Sequence, residues 1–408
     1  MKQSHLIAII LILILLISTT TLLVAHTQSS NEIIPKKNNT YFGIAYCGNT
    51  TEQAKILIDK TKTYTNLFIL NAGQNCLCTN QTAVMEILDY ATNANLNIIV
   101  NLGSHNYRTW QQRLQILTQV KDTYGDKFLG VYYDDEPAGM LMDWDWIREF
   151  EINGHLYGSF TAQIQNKLQN AKETNTYPDN YDLESQWLQR ILESNPGHKN
   201  LKTQNITTLT SDYTLYWFDY LGGYDVMLAQ LGWNNSITQH LSLIRGAATL
   251  QNRDWGTIIT WKYTQPPYID SADNIYEQLV ASYDAGAKYI TIFNWPYDSP
   301  NPYAILTEEH FEAMERFWTQ VFTQRDPRAP QAQAVLILPH NYGAALRVNN
   351  EKIWGIWEPD DKTPLIHETM AKLLDEYGLY LDIVYEDNAY PIKDYSKIYY
   401  WNQTITQP

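Results

Sequence analysis

Three consecutive acids, Asp134-Asp135-Glu136, followed by Pro137, are the residues here best suited to chemistry. They close an apolar run, FLGVYYD, over residues 128–134. Adjoining carboxylates repel one another, so at least one should hold a proton near neutral pH. A protonated carboxyl beside an ionised one is a general acid–base pair. The competing reading is a solvated acidic turn that caps the next helix.

Such a pair works only if rigid elements hold it. From residue 41 onward, short apolar runs alternate with helical patterns. Strands are expected at 41–47, 66–71, 96–102, 128–134, 207–211, 225–231, 257–263 and 288–293, and helices at 51–62, 82–93, 108–124, 236–251, 272–285 and 308–323. The strands are almost continuously apolar, as suits a parallel sheet buried on both faces. Residues 138–205 break the rhythm and read as an insertion of helices around a polar stretch at 174–182. The pattern predicts a (β/α)8 TIM barrel over 41–324, with a doubly wound open sheet as the alternative. No Gly-x-Gly-x-x-Gly follows a strand, so no dinucleotide is expected, nor any other cofactor. Residues 325–330 (RDPRAP) read as a linker. Residues 331–408 read as a small, flavodoxin-like α/β module, whose loop 340–362, rich in Trp and charge, suggests packing or assembly.

A barrel presents its chemistry at the C-terminal ends of its strands. Besides the acid cluster, those ends offer Tyr46, Asn71, Asn101, Asp212, Gln230 with Trp233, Lys262 with Tyr263, and Asn294 with Trp295. The ends are polar or aromatic where the strand interiors are apolar, and that contrast marks this face as the site. Aromatic faces also suit the C–H faces of sugar rings, although each such residue has an equal claim to be core. Asp212 is a possible second acid for an inverting mechanism.

Asp135-Glu136-Pro137 at strand four, with Trp295 at strand eight, resembles the glycoside hydrolase barrels. The large clan A of these enzymes carries Asn-Glu-Pro at strand four, with Glu as acid/base, and a Glu nucleophile at the end of strand seven. Here that end reads TWKYTQPP, with Lys262 and Tyr263 and no Glu. The chain is also similar to β-N-acetylhexosaminidases that have an adjacent Asp-Glu pair and use the substrate's own 2-acetamido oxygen as nucleophile. That resemblance implies Asp135 orienting the acetamido group, Glu136 as general acid/base and Trp295 as the floor of the sugar site. Tyr263, Trp233 and Asn294 would bind hydroxyls or the acetamido carbonyl. The chitinase-type pattern matches Asp134-Asp135-Glu136 in part, with Tyr132 where that pattern has its first Asp. Both alignments agree on Glu136. The alternative function is a non-catalytic glycan-binding protein, or a structural envelope protein whose acids hold a cation such as Ca²⁺. No metal site is otherwise expected.

Leu6 to Ala25 carries no charge, is long enough to cross a bilayer as a helix, and follows Lys2. Residues 1–27 are therefore expected to be a membrane anchor or signal peptide, 28–40 a polar tether, and the remainder extracellular. Sequons begin at Asn38, Asn49, Asn80, Asn205, Asn234 and Asn402, compatible with a glycoprotein. A disulfide joining Cys47 to Cys76 or Cys78 is expected from their places after the first two strands. The net charge of −15 without basic clusters argues against nucleic acid as a partner. The expected partners are a carbohydrate and, through the N-terminus, a membrane.

Overall fold

Eight parallel strands close on themselves in sequence order. They are β1 (Tyr41–Tyr46), β2 (Leu67–Asn71), β3 (Asn97–Asn101), β4 (Phe128–Tyr132), β5 (Thr208–Asp212), β6 (Val226–Leu231), β7 (Asp254–Ile259) and β8 (Tyr289–Ile292). The structure, a computed structural model, describes residues 40–105, 108–143, 180–233, 235–295, 301–325 and 332–403. The expected anchor, the tether up to residue 39 and residues 144–179 of the expected insertion lie outside the described residues. β1 closes the barrel, with Gly43 opposite Leu67 of β2 and Tyr41 opposite Tyr289 of β8.

The period of two along each strand sorts the side chains. Ala45, Leu67, Ile69, Ile99, Tyr132, Leu209, Leu228, Ile258 and Tyr289 form a cluster inside the barrel. Their neighbours Ile44, Phe68, Leu70, Ile98, Val100, Val131 and Met227 face outward and pack beneath the helices. Both sets are buried, which is why the strands read as continuous apolar runs.

Among the described residues the barrel's helices of six residues or more are α1 (Thr51–Thr61), α2 (Gln81–Asn93), α3 (Trp110–Tyr124), α4 (Tyr181–Ser194), α5 (Pro196–Thr203), α6 (Tyr216–Leu221), α7 (Ile237–Gln251), α8 (Ala272–Asp284) and α9 (Glu308–Phe317). Thr50, Asn80, Asn180, Asn195, Ser236 and Ser271 begin six of them, each side chain accepting a first-turn N–H. The sequence reading misses α6. Tyr216, Trp217, Phe218 and Tyr220 are all buried, so the helix has no polar stripe to reveal a period.

β7 is displaced from the expected 257–263. Its start was hidden by Asp254 and Gly256, residues disfavoured in strands, and its end overrun by the β-prone Thr260, Trp261 and Tyr263. The chain leaves the sheet because the Lys262 and Tyr263 amides donate instead to the Tyr268 carbonyl, at 2.7 and 2.9 Å. The disulfide expectation is also corrected, since all three thiols are free. Cys47 belongs to the barrel interior, Cys78 to the layer outside the wall, and Cys76 is exposed.

The C-terminal module is a parallel sheet in the order β10–β9–β11, from β9 (Ala334–Leu338), β10 (Leu381–Tyr385) and β11 (Lys397–Tyr400), with α10 (Lys362–Tyr377). It shares one core with the outside of the barrel: Phe218 of α6 meets Trp354 and Tyr385 with ring centroids 4.6 and 4.9 Å apart. A buried ion pair, Arg245 Nε to Asp382 Oδ1 at 2.7 Å, ties α7 to β10. The loop 340–362 packs within the molecule. Asn341 donates to Asp182 of α4 at 2.9 Å, and Thr214 donates to the Ala345 carbonyl at 3.3 Å.

Candidate active site

The three acids do not point the same way. Asp134 and Glu136 both have left-handed backbones, with φ of 58° and 50°. A non-glycine residue there stores about 1–3 kcal/mol of strain, and such strain concentrates at functional sites. The effect is to divide the cluster. Asp134 turns outward to Asn195, the cap of α5, whose side-chain amide donates to it at 3.3 Å. Burial lifts the Asp134 carboxyl to about 6, opposed by a hydrogen bond from Ser104 and assisted by the Asp135 charge.

Asp135 and Glu136 stand over the lumen. Asp135 accepts from the Tyr132 hydroxyl and from Ser211 Oγ at 3.2 Å. Glu136 Oε1 accepts from Gln230 Nε2 at 2.9 Å, and the same amide donates to Ser211 Oγ at 2.9 Å. Tyr132, Ser211 and Gln230 thus form a polar floor from three adjacent strands. Asp135 meets solvent at the mouth, while surrounding protein displaces much of the water behind it. That desolvation raises its carboxyl, against the hydrogen bonds from Tyr132 and Ser211. Glu136 is raised much further, first by burial and then by the charges of Asp135, Asp212 and Asp143. Glu136 is therefore the proton holder, and Asp135, with two hydroxyl donors, is the charged partner.

Strand parity sorts the other candidates. Asn71, Asn101, Gln230 and Trp295 share the inward parity of the interior cluster, and Trp295 packs against it. The inward Cys47 thiol, hydrogen-bonded to Asn71 and the Asn294 backbone, is pushed up to about 12 by burial. Asn101 Oδ1 accepts the Gly103 amide at 2.7 Å, bracing the turn after β3. Tyr46, Asp212 and Asn294 have the outward parity. The Tyr46 hydroxyl donates to the Thr50 carbonyl at 2.5 Å, and Asn294 Oδ1 accepts the Ile305 amide at 3.2 Å.

Asp212 is fully buried, so as placed it braces the site without touching a ligand. Its carboxylate takes four backbone amides: Ala138, Gly139, Tyr213 and Thr214, at 3.0, 2.9, 2.7 and 3.2 Å. It thereby fixes the turn that carries Glu136, whose own amide donates to the Ser211 carbonyl at 2.9 Å. Burial still raises Asp212 to about 7, against those four bonds. Asp219 lies against it, with the Ala138 backbone also within its reach. Burial and the Asp212 charge push Asp219 well up, so it is the protonated member of that pair.

The opposite side of the mouth is aromatic. Trp233 and Tyr263 are 43% and 42% exposed. The Trp233 amide donates to the Trp261 carbonyl at 3.0 Å, and Trp261 Nε1 donates to the Trp295 carbonyl at 3.1 Å. Trp261 stacks on Tyr268 with centroids 4.8 Å apart. Lys262 is paired with Asp270 at 2.9 Å. Asp270 is the acid nearest in sequence after β7, and it is further occupied by the Ser271 amide and Asn274 at the start of α8. Among the described residues, no carboxylate stands at the end of β7.

Sequence reasoning missed Tyr132 and Ser211 as anchors, and Asp143, Tyr213, Asp219 and Arg347 as neighbours. The first two were legible from parity, since each lies two residues beyond or before an inward position. The others meet only through the fold. Among the described residues no three acid, His or Cys side chains are grouped as cation ligands.

No family model matches the sequence, and no curated protein does. The fold is that of a (β/α)8 barrel, and it is shared with solved structures of very different sequence. A GH5_18 protein from Streptomyces cattleya, in complex with GlcNAc, superposes with a TM-score of 0.50 at 12% identity, covering 89% of this chain and 98% of that one. A polyextremophilic beta-galactosidase from the Antarctic haloarchaeon Halorubrum lacusprofundi gives 0.56 at 10% identity, covering 88% of this chain and 69% of that one.

Proposed function

We propose that this chain is a glycoside hydrolase acting on an extracellular or cell-surface glycan, with Glu136 as general acid/base and Asp135 as its ionised partner. The observation that carries this reading is the Glu136 carboxyl, held by Gln230 over the lumen beside an Asp135 whose charge is held by Tyr132 and Ser211. A proton donor beside a carboxylate is the arrangement glycoside cleavage requires.

With no carboxylate among the described residues at the end of β7, the nucleophile in this reading comes from the substrate. The oxygen of a 2-acetamido group bonds to C1 as the glycosidic C1–O bond breaks. The departing oxygen takes the bond pair and the Glu136 proton. Water then attacks C1, gives its proton to Glu136 and restores the acetamido group. Asp135 stabilises the charge that develops on the acetamido group. The lumenal polarity of Asn71 and Asn101 and the exposed faces of Trp233 and Tyr263 suit a sugar.

The extracellular location belongs to the same proposal. It rests on the uncharged run Leu6 to Ala25, and it fits the exposure of the sequon asparagines Asn49, Asn80, Asn205 and Asn402.

The test is hydrolysis of aryl glycosides, with and without a 2-acetamido group, by the wild type and by Glu136→Gln. Turnover that needs the acetamido group and vanishes in the variant supports the reading. The empty end of β7 also favours a second reading, a barrel that binds glycan without cleaving it. Sugar binding with no turnover, unchanged in Glu136→Gln, would establish that reading instead.

A further inference from the structure

The turn from Glu136 to Asp143 is pinned at both ends. At its start, Asp212 holds the Ala138 and Gly139 amides, and the Met140 amide donates to the Glu136 carbonyl at 3.0 Å. At its end stands Asp143. The Tyr213 hydroxyl donates to Asp143 Oδ2 at 2.5 Å and to the Gly139 carbonyl at 2.7 Å. Arg347, from the loop after β9, grips the same carboxylate with both arms: Nη1 to Oδ2 at 3.0 Å and Nη2 to Oδ1 at 2.8 Å. Its Nε meets Glu351, and its guanidinium lies 5.2 Å from the centre of the Tyr213 ring. A bidentate pair of this kind fixes geometry as well as charge.

We propose that Arg347 is a positioning residue for Glu136, by which the C-terminal module fixes and neutralises Asp143 and so sets the protonation range of the barrel's acid. The proposal rests on the reading of Glu136 as that acid. The charges that bear most on Glu136 are all acidic: Asp135 beside it, Asp212 at the end of β5 and Asp143. Tyr132 of β4 and Tyr213 also face it, both kept neutral by burial. Asp219 of α6 stands behind Asp212. Around Arg347 lie Glu351 and His240 of α7, the latter held neutral by burial and by the Arg347 charge. Without the guanidinium, the Asp143 charge acts on Glu136 unopposed, and the proton is held more tightly.

The experiment uses the full chain with ¹³C-labelled Glu side chains, the Glu136 signal being assigned by its loss in Glu136→Gln. The ionisation midpoint of Glu136 is read by NMR, beside the pH profile of turnover. Arg347→Met should raise the midpoint by roughly 0.5–1 pH unit. Asp143→Asn should lower it. The double variant, which removes both charges of the pair, should lie close to the wild-type value and above Asp143→Asn, and Arg347→Lys, which keeps the charge, should return the midpoint to the wild-type value. A residue that only braced the loop would reduce turnover without moving the midpoint.

An unmoved midpoint in both Arg347→Met and Asp143→Asn overturns the proposal. If Arg347→Met does not fold, Asp143→Asn and Arg347→Lys decide it by the same signs. A midpoint that moves in a protein with no turnover on any glycoside supports the coupling and counts against the hydrolase reading. Turnover with an unmoved midpoint does the reverse.

Discussion

The two sides of the barrel mouth are built on opposite plans. Around β4 and β5 the functional groups are acids, buried or braced, each held by partners from neighbouring elements. Around β6 to β8 they are aromatic and half open to water: Trp233, Trp261 and Trp295 are linked by hydrogen bonds, while Trp233 and Tyr263 remain exposed. The acids gain altered protonation from burial and order from their hydrogen bonds. The aromatics gain contact area that a ligand can cover. One side is arranged to hold a proton in place, the other to be touched.

The largest expected contrast comes from replacing one residue on each side. Glu136→Gln should lower kcat about 10²–10⁴-fold, the usual worth of a general acid, while a glycan's Kd changes little. Trp233→Ala should weaken the Kd roughly 5–100-fold, the loss of one aromatic face, with kcat nearly unchanged. Isothermal titration and steady-state kinetics on the same variants check both, and matching effects on the two sides would erase the distinction.

Bracing should show next. Gly139→Ala places a methyl group against the Asp212 carboxylate and the Tyr213 ring. It should cost about 1–3 kcal/mol in urea unfolding. Asp382→Ala, which strands the buried Arg245, should cost about 3–5 kcal/mol and report on the module. Tyr263→Ala, on the exposed rim, should stay within about 0.5 kcal/mol of the wild type.

A separate effect is one of pH. Asp134 and Asp212 are raised above an unfolded value near 4, to about 6 and about 7. An acid raised on folding favours the folded state fully below its unfolded pKa, and that contribution is lost as pH rises through its folded pKa. Tm should therefore fall between about pH 4 and pH 7–8. Asp219→Asn, which keeps the shape of a protonated acid, should raise Tm at pH 8 and flatten the profile. A Tm that climbed steadily over this range would contradict the assignment of buried, proton-holding carboxyls.

Much of this was legible in advance. The barrel and the strand bearing the acids follow from apolar runs at regular intervals, each ending in polar residues. Parity was legible too and would have separated Asn71 and Gln230 from Tyr46 and Asp212. The start of β7 was hidden because Asp254 and Gly256 obey the sheet against their own propensity. α6 was hidden because a helix buried all round shows no period.

The sequence alone determined the architecture, because burying apolar surface at a period of two between helices leaves few ways to fold. It also supplied an acid triplet that must share protons. Which acid keeps one was decided by tertiary structure. Two left-handed backbones send Asp134 to Asn195 and leave Asp135 and Glu136 over the lumen. Asp212 and Asp219 become a buried pair, and Arg347 meets Asp143 across 204 positions of chain. A pKa depends on water removed and charges brought near, and both are set by residues far away in sequence.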